Sequence, residues 1–308
     1  MIVNAIRHKI TQRNQLFNNV RQFFSEKGVL EVDTSLLREF TVTDPYMSAF
    51  SVVTPKGKKQ GYLQTSPEYA MKKLICEGSG DIFQLSKMFR AEEKSSVHLS
   101  EFTLLEWYRL GFDHHQLIEE VCAFIKRMVG DHDISIVDYR ELFIDLLQFD
   151  PFIISSAQLD AKTRALLGDI PNNLVRDNYL TLLFSEKIEA SFDFDTITVV
   201  TNYPASQASL AKTKLINGIE IAERFEVYLN GMELANGFHE LTDAQSQLAR
   251  FEQDNIVREQ LGNDKIEIDL DFIDALGKGL PDCAGVALGI DRLLMIKVDE
   301  AEIRNVTL

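Results

Sequence analysis

Cysteine is scarce in this sequence, and the positions of the three cysteines exclude two kinds of architecture. Cys76, Cys122 and Cys283 lie far apart and form neither a Cys-x-x-Cys pair nor a Cys/His ligand spacing. A disulfide framework and a structural zinc site are therefore not predicted. Long apolar runs are missing too, and the first ten residues lack the apolar core of a secretory leader. We expect a cytoplasmic protein with reduced thiols.

Basic residues are also in deficit. The chain has 32 lysines and arginines against 47 aspartates and glutamates, which gives a formal net charge of -15. Such a charge opposes nonspecific binding to a phosphate backbone, so nucleic acid is a disfavoured partner. The 308 residues are 45% hydrophobic, which is enough to bury a large core. No internal repeat or low-complexity linker divides the chain, and we predict a single domain over residues 1–308.

The strand patterns of the sequence fall into antiparallel pairs. Residues 82–89 and 102–109 flank a polar loop and predict a long hairpin, whereas residues 112–130 and 243–261 have helical patterns. Because strands and helices do not alternate in a βαβ rhythm, we predict an α+β domain with an antiparallel sheet flanked by helices. Residues 131–196 are less regular and are interpreted as an insertion. The opening segment predicts an amphipathic helix ending at Lys27-Gly28, with an apolar face of Ile6, Ile10, Phe17, Val20, Phe23 and Phe24.

Two acidic residues, Glu233 and Glu240, lie on what the pattern predicts to be one strand. The preceding Asn230-Gly231 pair is a strong hairpin signal, so the stretches on either side of it should pair in antiparallel fashion. Seven residues separate the two acids and would put them on opposite faces, but a bulge at Asn236-Gly237 would return both to one face. Buried carboxylates need a metal, a cationic ligand or an arginine. The alternative is the solvated outer face of an edge hairpin.

Two further segments combine arginines with strand patterns. The first is Phe89-Arg90-Ala91-Glu92, followed by a loop and His98-Leu99-Ser100-Glu101-Phe102, and the second is Gly285-Val-Ala-Leu-Gly-Ile-Asp-Arg292. The glycines of the second segment do not indicate dinucleotide binding, because no βαβ unit with a downstream acid follows them. Together the segments resemble motifs 2 and 3 of the class II aminoacyl-tRNA synthetases. The resemblance implies that family's antiparallel sheet flanked by helices, and adenylate formation from ATP.

The same resemblance assigns nucleotide contacts. Arg90 would hold the α-phosphate and Arg292 the γ-phosphate, because preorganised guanidinium groups stabilise the charge that builds up during attack on phosphorus. His98 would lie near the outer phosphates. Phe102 would form an aromatic plate for adenine, and Glu92 would bind the edge of the base. The rest of the implied ATP-binding set is Ala91, Leu99, Glu233, Leu234 and Gly289, of which Glu233 would also ligate Mg²⁺.

More specific strings extend from about residue 6 to residue 295. They resemble the elongation factor P (R)-β-lysine ligases, which are tRNA-independent relatives of lysyl-tRNA synthetase. The resemblance implies activation of (R)-β-lysine, or lysine, with ATP and Mg²⁺, and transfer of the acyl group to a lysine ε-amine of elongation factor P. A homodimer formed through motif 1 is also implied. The strings are Val42-Thr-Asp44, Thr65-Ser-Pro-Glu-Tyr69, Glu106-Trp-Tyr108, Asn202-Tyr-Pro-Ala-Ser-Gln207, Glu233 to Asp243 and Gly279 to Gly285.

The amino acid would be bound through its amines. By the resemblance, Tyr108 would hydrogen-bond the lysine side chain and Glu240 would meet a substrate ammonium. The family's substrate-amine loop corresponds to Ser66, Pro67 and Glu68. Ala287 stands where lysyl-tRNA synthetases usually have glycine; its methyl group either favours a β-amino acid or simply packs a strand.

Several features leave alternatives open. Lysyl-tRNA synthetases carry an OB-fold anticodon domain before the catalytic core, whereas the motif 1 helix here begins within the first ten residues, so no such domain and no tRNA partner are expected. Ser35, Ala91 and Leu99 depart from the usual proline, asparagine and asparagine of the family. If side chains make these contacts with ATP, each lost amide would cost about 1 kcal/mol or more; if the backbone makes them, Ala91 and Leu99 can still serve. A catalytically weakened regulatory or binding subunit, and a free-standing lysyl-tRNA synthetase-like enzyme, therefore remain as alternatives.

Overall fold

The computed structural model describes residues 2–91, 93–172 and 174–308, and of residues 2–5 only the backbone. The chain divides into two compact units, Met1–Asp131 with His239–Leu308, and His132–Phe238. The helices and strands follow one another as α1 (Ile2–Glu26), β1 (Leu30–Glu31), β2 (Leu37–Arg38), β3 (Ser51–Val53), β4 (Lys59–Leu63), α2 (Glu68–Cys76), β5 (Ile82–Phe89), β6 (Glu101–Leu110), α3 (His114–Val129), β7 (Asp133–Asp138), α4 (Tyr139–Leu147), α5 (Ser156–Leu167), α6 (Arg176–Leu183), β8 (Thr196–Pro204), β9 (Thr213–Ile216), β10 (Ile219–Leu229), β11 (Met232–His239), α7 (Ala244–Gln260), α8 (Leu270–Gly279), β12 (Cys283–Gly289) and α9 (Ile290–Lys297).

The first unit contains strands β1, β5, β6 and β12 side by side in that order. The pairs β5–β6 and β6–β12 are antiparallel, and the short outer strand β1 runs parallel to its neighbour β5. The predicted hairpin is confirmed, because β5 and β6 pair continuously from Ile82 opposite Tyr108 to Phe89 opposite Glu101. Strands β2, β4 and β3 form a separate small sheet. An antiparallel arrangement with helices beside it confirms the predicted α+β class.

Helix α1 ends where the sequence predicts, at Glu26, and Gly28 adopts a positive φ of 70° beyond it. Among the side chains that the structure describes, the apolar face of this helix is buried only in its second half. Phe24 stacks on Phe83 of β5 at 4.5 Å between ring centroids and is fully buried. The predicted face was too long at its start, because Ile6 and Ile10 are each 48% exposed. Burial along the described side chains of this helix begins at Arg13.

Asp291 connects three elements of the first unit. Its Oδ1 accepts from Nη1 of Arg13 at 2.6 Å, and its Oδ2 accepts from the backbone amide of Thr103 at 2.6 Å. Arg13 also donates to the hydroxyl of Thr103. All three residues are buried, where an ion pair is retained only when its other polar atoms are satisfied. This contact fixes α1, β6 and the start of α9 together, and so fixes the backbone beside Phe102 and Arg292.

The second unit contains strands β11, β10, β8 and β7 side by side, with β9 paired to part of β10. Its core is aromatic, and Tyr139 lies between Phe184, at 5.3 Å, and Tyr203, at 4.9 Å between ring centroids. Residues 131–196 contain more order than the sequence pattern indicates. Strand β7 was not predicted, and it pairs in parallel with β8 from Asp133 opposite Thr196 to Asp138 opposite Thr201.

The hairpin of β10 and β11 confirms the prediction from Asn230-Gly231. Both residues have positive φ, 52° and 70°, as a two-residue turn between twisted strands requires. A bulge is present, but not at Asn236-Gly237 as predicted. Val227 pairs with Ala235 and Tyr228 with Glu233, so Leu234 is the extra residue on β11. Leu234 and Ala235 are both buried, and apolar burial of two consecutive side chains accounts for the bulge at that position.

All three cysteines are free thiols, as predicted. In the part of the chain that the structure describes, we find no helix with the length and apolarity that crossing a membrane requires. The prediction that residues 1–308 form one domain stays a prediction.

Candidate active site

Arg90 lies at the end of the β5–β6 hairpin and packs against an aromatic ring. Its guanidinium carbon is 5.1 Å from the ring centroid of Phe102, and its Nε donates to the carbonyl of Thr65 at 3.4 Å. Its Nη1 lies 3.7 Å from a carboxylate oxygen of Glu93. Both Arg90 and Phe102 are half-buried. A cation held over an aromatic face keeps a fixed direction, which is what a phosphate-binding group beside a stacked base requires.

Arg292 on α9 meets His98 from the loop between β5 and β6. Its Nη2 contacts Nε2 of His98, and its Nε donates to the carbonyl of Val97 at 3.2 Å. Burial lowers the pKa of His98, and the charges of Arg292 and Arg90 lower it further while Glu93 opposes them. A neutral His98 accepts from the guanidinium through Nε2, and the Ser95 hydroxyl lies 2.8 Å from Nδ1. The loop and α9 thus bring Arg90, His98 and Arg292 into one electrostatically coupled group.

A cluster of carboxylates lies deeper in the same unit, beside α2 and β6. Glu106 and Tyr108 alternate on β6 and share one face of the strand, and the Tyr108 hydroxyl donates to Glu106 Oε1 at 2.8 Å. Glu68 on α2 and Glu240 are tied together by Lys72, whose Nζ lies 2.6 Å from Glu68 Oε1 and 2.6 Å from Glu240 Oε2. Lys72 and Glu240 are each 1% exposed. Two carboxylates therefore contact one ammonium group, and its charge also acts on a third carboxylate, that of Glu106.

The surroundings of Glu106 in this cluster shift its pKa. Burial raises its pKa well above the ordinary value, Glu68 and Glu240 raise it further, and the Tyr108 hydroxyl and Lys72 lower it. Burial likewise raises the pKa of Tyr108, and the charge of Glu106 adds to the effect. Loss of a proton from Glu106 adds negative charge to the pocket, which favours a cationic ligand.

Gly285 on β12 supplies the space between these side chains. It pairs directly with Tyr108, and Ala287 pairs with Glu106, so both stand on the face of the sheet that carries the cluster. A Cβ atom at Gly285 would lie 2.3 Å from Cε1 of Tyr108 and 2.4 Å from Oε1 of Glu240. The close approach of these two side chains is possible only because residue 285 has no Cβ atom. At Gly289 a Cβ atom would meet the Arg292 side chain at 3.6 Å or more, which is an ordinary contact.

Replacing Gly285 with alanine is expected to lower the free energy of unfolding by about 1–3 kcal/mol, because the added methyl group forces Tyr108 and Glu240 out of their positions. The KM for the amino acid substrate should rise about ten-fold, since a shift of this size misplaces a binding group. Denaturant unfolding and substrate kinetics measure the two effects. Gly277→Ala in α8 is the matched control, because nothing lies within 4 Å of its Cβ position and its φ is not positive. If Gly285→Ala behaves like Gly277→Ala, the packing argument is wrong.

Arg90 and the carboxylate cluster are linked through the segment before α2. The carbonyl that accepts from Arg90 belongs to Thr65. The next residues are Ser66, whose hydroxyl accepts from the amide of Glu68 at 3.4 Å, and Pro67, which caps α2. Proline suits the start of a helix because its missing N–H would have no partner there. One short segment therefore lies against Arg90 at one end and leads to Glu68 and Lys72 at the other.

In the second unit, the string Asn202 to Gln207 contacts residues of β10. Glu226 accepts from the hydroxyls of Tyr203, at 2.7 Å, and Tyr228, and from Arg224. The Arg224 guanidinium carbon lies 4.7 Å from the ring centroid of Tyr203. Glu233 is half-buried on β11. Burial lowers the pKa of Arg224 and raises that of Tyr228; the charge of Glu226 raises both, and the charge of Glu233 adds to it. The buried network holds the backbone of the hairpin that carries Glu233 and Leu234.

Sequence reasoning missed Lys72, Glu106 and Gly285 as members of the site. A signal for Lys72 was present, because Glu68 lies four residues before it on a predicted helix, the spacing of an ion pair. Glu106 stands two residues before Tyr108 on a predicted strand, which is the same-face spacing. The contact of Lys72 with Glu240 bridges residues far apart in the sequence, and no local pattern predicts it.

The structure describes only some of the residues predicted to contact the nucleotide. Glu92 lies outside the described residues. The amide of Ala91 donates to the carbonyl of Ser48 at 2.8 Å, so that amide is engaged within the protein. Leu99 is half-buried in the loop before β6. The ligand contacts assigned to these residues, and those assigned to Glu233, Leu234 and Gly289, stay predictions.

Comparison with known proteins identifies the family. The sequence profile of the family described as tRNA synthetases class II (D, K and N) matches residues 2–308. An elongation factor P–(R)-β-lysine ligase of Haemophilus ducreyi is 43% identical over 301 residues, which cover 96% of this chain and 92% of that protein. The ligases of the same name from Vibrio vulnificus and Vibrio parahaemolyticus are both 45% identical, over 306 and 308 residues, and each alignment covers 97% of this chain and 94% of the relative.

The profile agrees with the antiparallel sheet flanked by helices that the structure shows. The chain therefore belongs to the class II tRNA synthetase family, and within it to the elongation factor P–(R)-β-lysine ligases.

Proposed function

We propose that this chain is an ATP-dependent ligase that activates (R)-β-lysine, or lysine, as an aminoacyl-adenylate and transfers the acyl group to a lysine ε-amine of elongation factor P. The observation that carries the proposal is the cluster of half-buried Glu68 with buried Glu106 and Glu240 beside Lys72, connected through Thr65 to Arg90. The relatives named above support the identity of amino acid and acceptor.

The carboxylate cluster fits a substrate that carries two amines. A buried carboxylate is costly unless a cation pairs with it. Here one lysine pairs with two carboxylates, and its charge lowers the pKa of the third, Glu106. Glu240 and Glu68 would bind one ammonium group, and Glu106 with Tyr108 would bind another. The second amine distinguishes lysine and β-lysine from amino acids with neutral side chains, because such side chains would leave a buried charge unpaired.

The arginines suit the first chemical step. A carboxylate oxygen of the amino acid attacks the α-phosphorus of ATP, the bond to the bridging oxygen of the β-phosphate breaks, and pyrophosphate leaves. Arg90 would stabilise the charge that grows on the α-phosphate oxygens, and Arg292 with His98 would hold the outer phosphates. Phe102, fixed under Arg90, would stack on the adenine ring. No side chain of the protein forms a covalent bond to the substrate in this step.

In the second step the ε-amine of the acceptor lysine attacks the acyl carbonyl of the adenylate. The bond between the acyl carbon and the AMP oxygen breaks, AMP leaves, and the amine loses a proton as the amide forms. Ala287 pairs with Glu106 across the sheet and is half-buried. Its methyl group would limit the room beside the substrate backbone and so favour a β-amino acid.

Magnesium would supply positive charge to the phosphates when bound with ATP. The carboxylate of Glu233 is a hard oxygen donor of the kind that Mg²⁺ prefers, and it is half-buried rather than enclosed. The chemistry of this residue therefore fits the proposed ligand role.

The acidic chain also bears on the acceptor. A formal net charge of -15 would attract a basic loop of a protein acceptor and repel tRNA. We propose that the enzyme acts in the cytoplasm on elongation factor P and not on tRNA, and that it forms a homodimer through the motif 1 region, α1 and the strand after it.

The test is ATP–pyrophosphate exchange with (R)-β-lysine, with lysine and with no amino acid, followed by mass analysis of elongation factor P. We expect exchange that depends on the amino acid and a mass increase of one acyl group on the factor. Absence of exchange with both amino acids would overturn the activation step and would favour the regulatory subunit, to which Ala91 and Leu99 point. Exchange without modification of the factor would indicate another acceptor, and charging of tRNA(Lys) in the same assay would indicate a synthetase.

A further inference from the structure

Lys72 is a fully buried cation whose place in the reaction has not been assigned. It is 1% exposed on α2, and its Nζ lies 2.6 Å from one oxygen of Glu68 and 2.6 Å from one oxygen of Glu240. Lysine is almost never buried completely unless it is paired. Burial lowers the pKa of Lys72, but the charges of Glu240 and Glu68 more than offset this and raise it overall. Lys72 is therefore charged at neutral pH.

The contacts of Lys72 select particular carboxylate oxygens. It binds Oε1 of Glu68 and Oε2 of Glu240. The other oxygen of Glu240, Oε1, is the atom that lies next to Gly285 and Tyr108. One ammonium group thus sets the rotation of the Glu240 carboxylate and its separation from Glu68. Rotation of either carboxylate would break a contact inside the protein, so both are held before any ligand arrives.

The charge of the cluster depends on the same residue. With Lys72 and the two carboxylates it contacts, the formal charge is -1, and ionised Glu106 makes it -2. A diamino acid brings two ammonium groups. Without Lys72 the same carboxylates would carry one more uncompensated negative charge in a buried place.

We propose that Lys72 is a positioning residue for amine recognition, which holds Glu68 and Glu240 in place and matches the charge of the pocket to a substrate with two ammonium groups. The proposal rests on the proposed function and names how its amino acid site is built. Lys72 acts through the two carboxylates and does not contact the reacting atoms.

The alternative is that Lys72 only stabilises the fold, as the partner of Glu68 one helical turn away. A purely structural ion pair would lower stability when removed and would leave the balance between the two substrates unchanged. A positioning residue changes the KM for the amino acid and not that for ATP. It also changes the pH dependence of amino acid binding, because Lys72 lowers the pKa of Glu106.

The test compares Lys72→Met with Lys73→Met in the exchange assay. Lys73 is the next residue on α2, is 22% exposed and pairs with Asp269 at 3.0 Å, away from the cluster. We expect Lys72→Met to raise the KM for the amino acid about ten-fold or more while the KM for ATP stays within about two-fold, and Lys73→Met to leave both unchanged. If both KM values of Lys72→Met stay at the wild-type level, or rise together, the proposal is overturned.

The pH dependence gives the second measurement. Glu106 binds an ammonium group better when ionised, so the KM for the amino acid should fall as the pH rises through the pKa of Glu106. Glu68, Glu240, Lys72 and the Tyr108 hydroxyl act on this group. Loss of the Lys72 cation raises that pKa, and the fall should therefore occur at higher pH in Lys72→Met. An unchanged position, or a displacement to lower pH, contradicts the inference.

A second variant, Lys72→Arg, tests the inference if Lys72→Met does not fold. Circular dichroism shows whether Lys72→Met folds. Lys72→Arg keeps the charge but changes the geometry of its contacts. It should raise the KM for the amino acid several-fold with the pH dependence of the wild type, and wild-type kinetics in Lys72→Arg would overturn the positioning role. The two failures are distinguishable. If the proposed function is wrong, the wild-type protein itself shows no exchange. If only this inference is wrong, the wild type is active and Lys72→Met has the same kinetics.

Discussion

Replacing Arg292 with alanine is expected to lower kcat for ATP–pyrophosphate exchange by about 10²–10³-fold, the usual effect of removing one preorganised group that stabilises transition-state charge. Arg292 is held in position by the Val97 carbonyl at 3.2 Å and by Nε2 of His98. Its guanidinium therefore needs no reorganisation when phosphates bind. The KM for the amino acid should change little, because the carboxylate cluster does not include Arg292.

The partner of Arg292 gives a spectroscopic readout of the same substitution. Burial lowers the pKa of His98, and the charge of Arg292 is the next cause. Removal of that charge in Arg292→Ala raises the pKa of His98 toward its ordinary value, which NMR titration of the imidazole can follow. Arg292→Lys should restore the charge effect on His98 but only part of the rate, since an ammonium group cannot contact two acceptors in one plane.

Arg21→Ala is the control for this experiment. Arg21 forms a solvent-exposed pair with Glu31 at 2.9 Å on the first unit, and such pairs contribute little to stability. The variant should keep wild-type kcat and both KM values. If Arg292→Ala also keeps wild-type kcat, the assignment of Arg292 to the phosphates is incorrect.

Elements with strong local signals were predictable from the sequence. The hairpin of β10 and β11 follows from Asn230-Gly231, because few residues other than asparagine and glycine adopt the positive φ values of that turn. The β5–β6 pair follows from two apolar stretches around a polar loop, and its register is continuous. In both cases the interactions that decide the structure lie close together in the sequence.

Features that depend on distant partners were predicted less well. Strand β7 pairs in parallel with β8, whose first residue is more than fifty positions away. Its isoleucines, Ile134 and Ile136, alternate along the strand, but both are exposed, so no buried apolar face identifies this strand. The bulge at Leu234 was misplaced by two residues because packing, not the Asn236-Gly237 pair, decides its position. Ile6 and Ile10 fit the helical period but are exposed. Periodicity identifies the apolar face of a helix, but it does not show how far along the helix that face is packed against the rest of the protein.

The candidate site divides in the same way. Arg90, Phe102, His98 and Arg292 were named from two short motifs, and the structure brings them together in the first unit. Tyr108, Glu68 and Glu240 were named one by one, whereas the cluster they form became visible only with Lys72, Glu106 and Gly285 in place. A motif indicates which residue types are present, and the balance of charge among them is a property of the folded pocket.

Glu240→Gln is expected to reduce kcat/KM for the amino acid by about 10²-fold or more, since removing one partner of a buried charge pair costs about 2–5 kcal/mol. The substitution keeps the shape of the side chain and removes its charge. Lys72 keeps its contact with Glu68 at 2.6 Å, so no buried ammonium group is left without a carboxylate and the protein should fold. The KM for ATP should stay within about two-fold, because Glu240 contacts Lys72 in the carboxylate cluster, whereas Arg90 and Arg292 are held by other groups.

The control is Glu259→Gln on α7, where the wild-type carboxylate is 55% exposed and pairs with Lys265 at 3.1 Å.

The pH dependence separates Glu240→Gln from Lys72→Met. Glu240 raises the pKa of Glu106, whereas Lys72 lowers it. Removing the carboxylate therefore moves the fall in KM for the amino acid to lower pH, and removing the ammonium group moves it to higher pH. A general loss of structure would shift the pH of this fall in the same direction in both variants, so opposite shifts show that the two residues act on one charge-coupled pocket. An equal loss of amino acid and ATP binding in Glu240→Gln would contradict the assigned role.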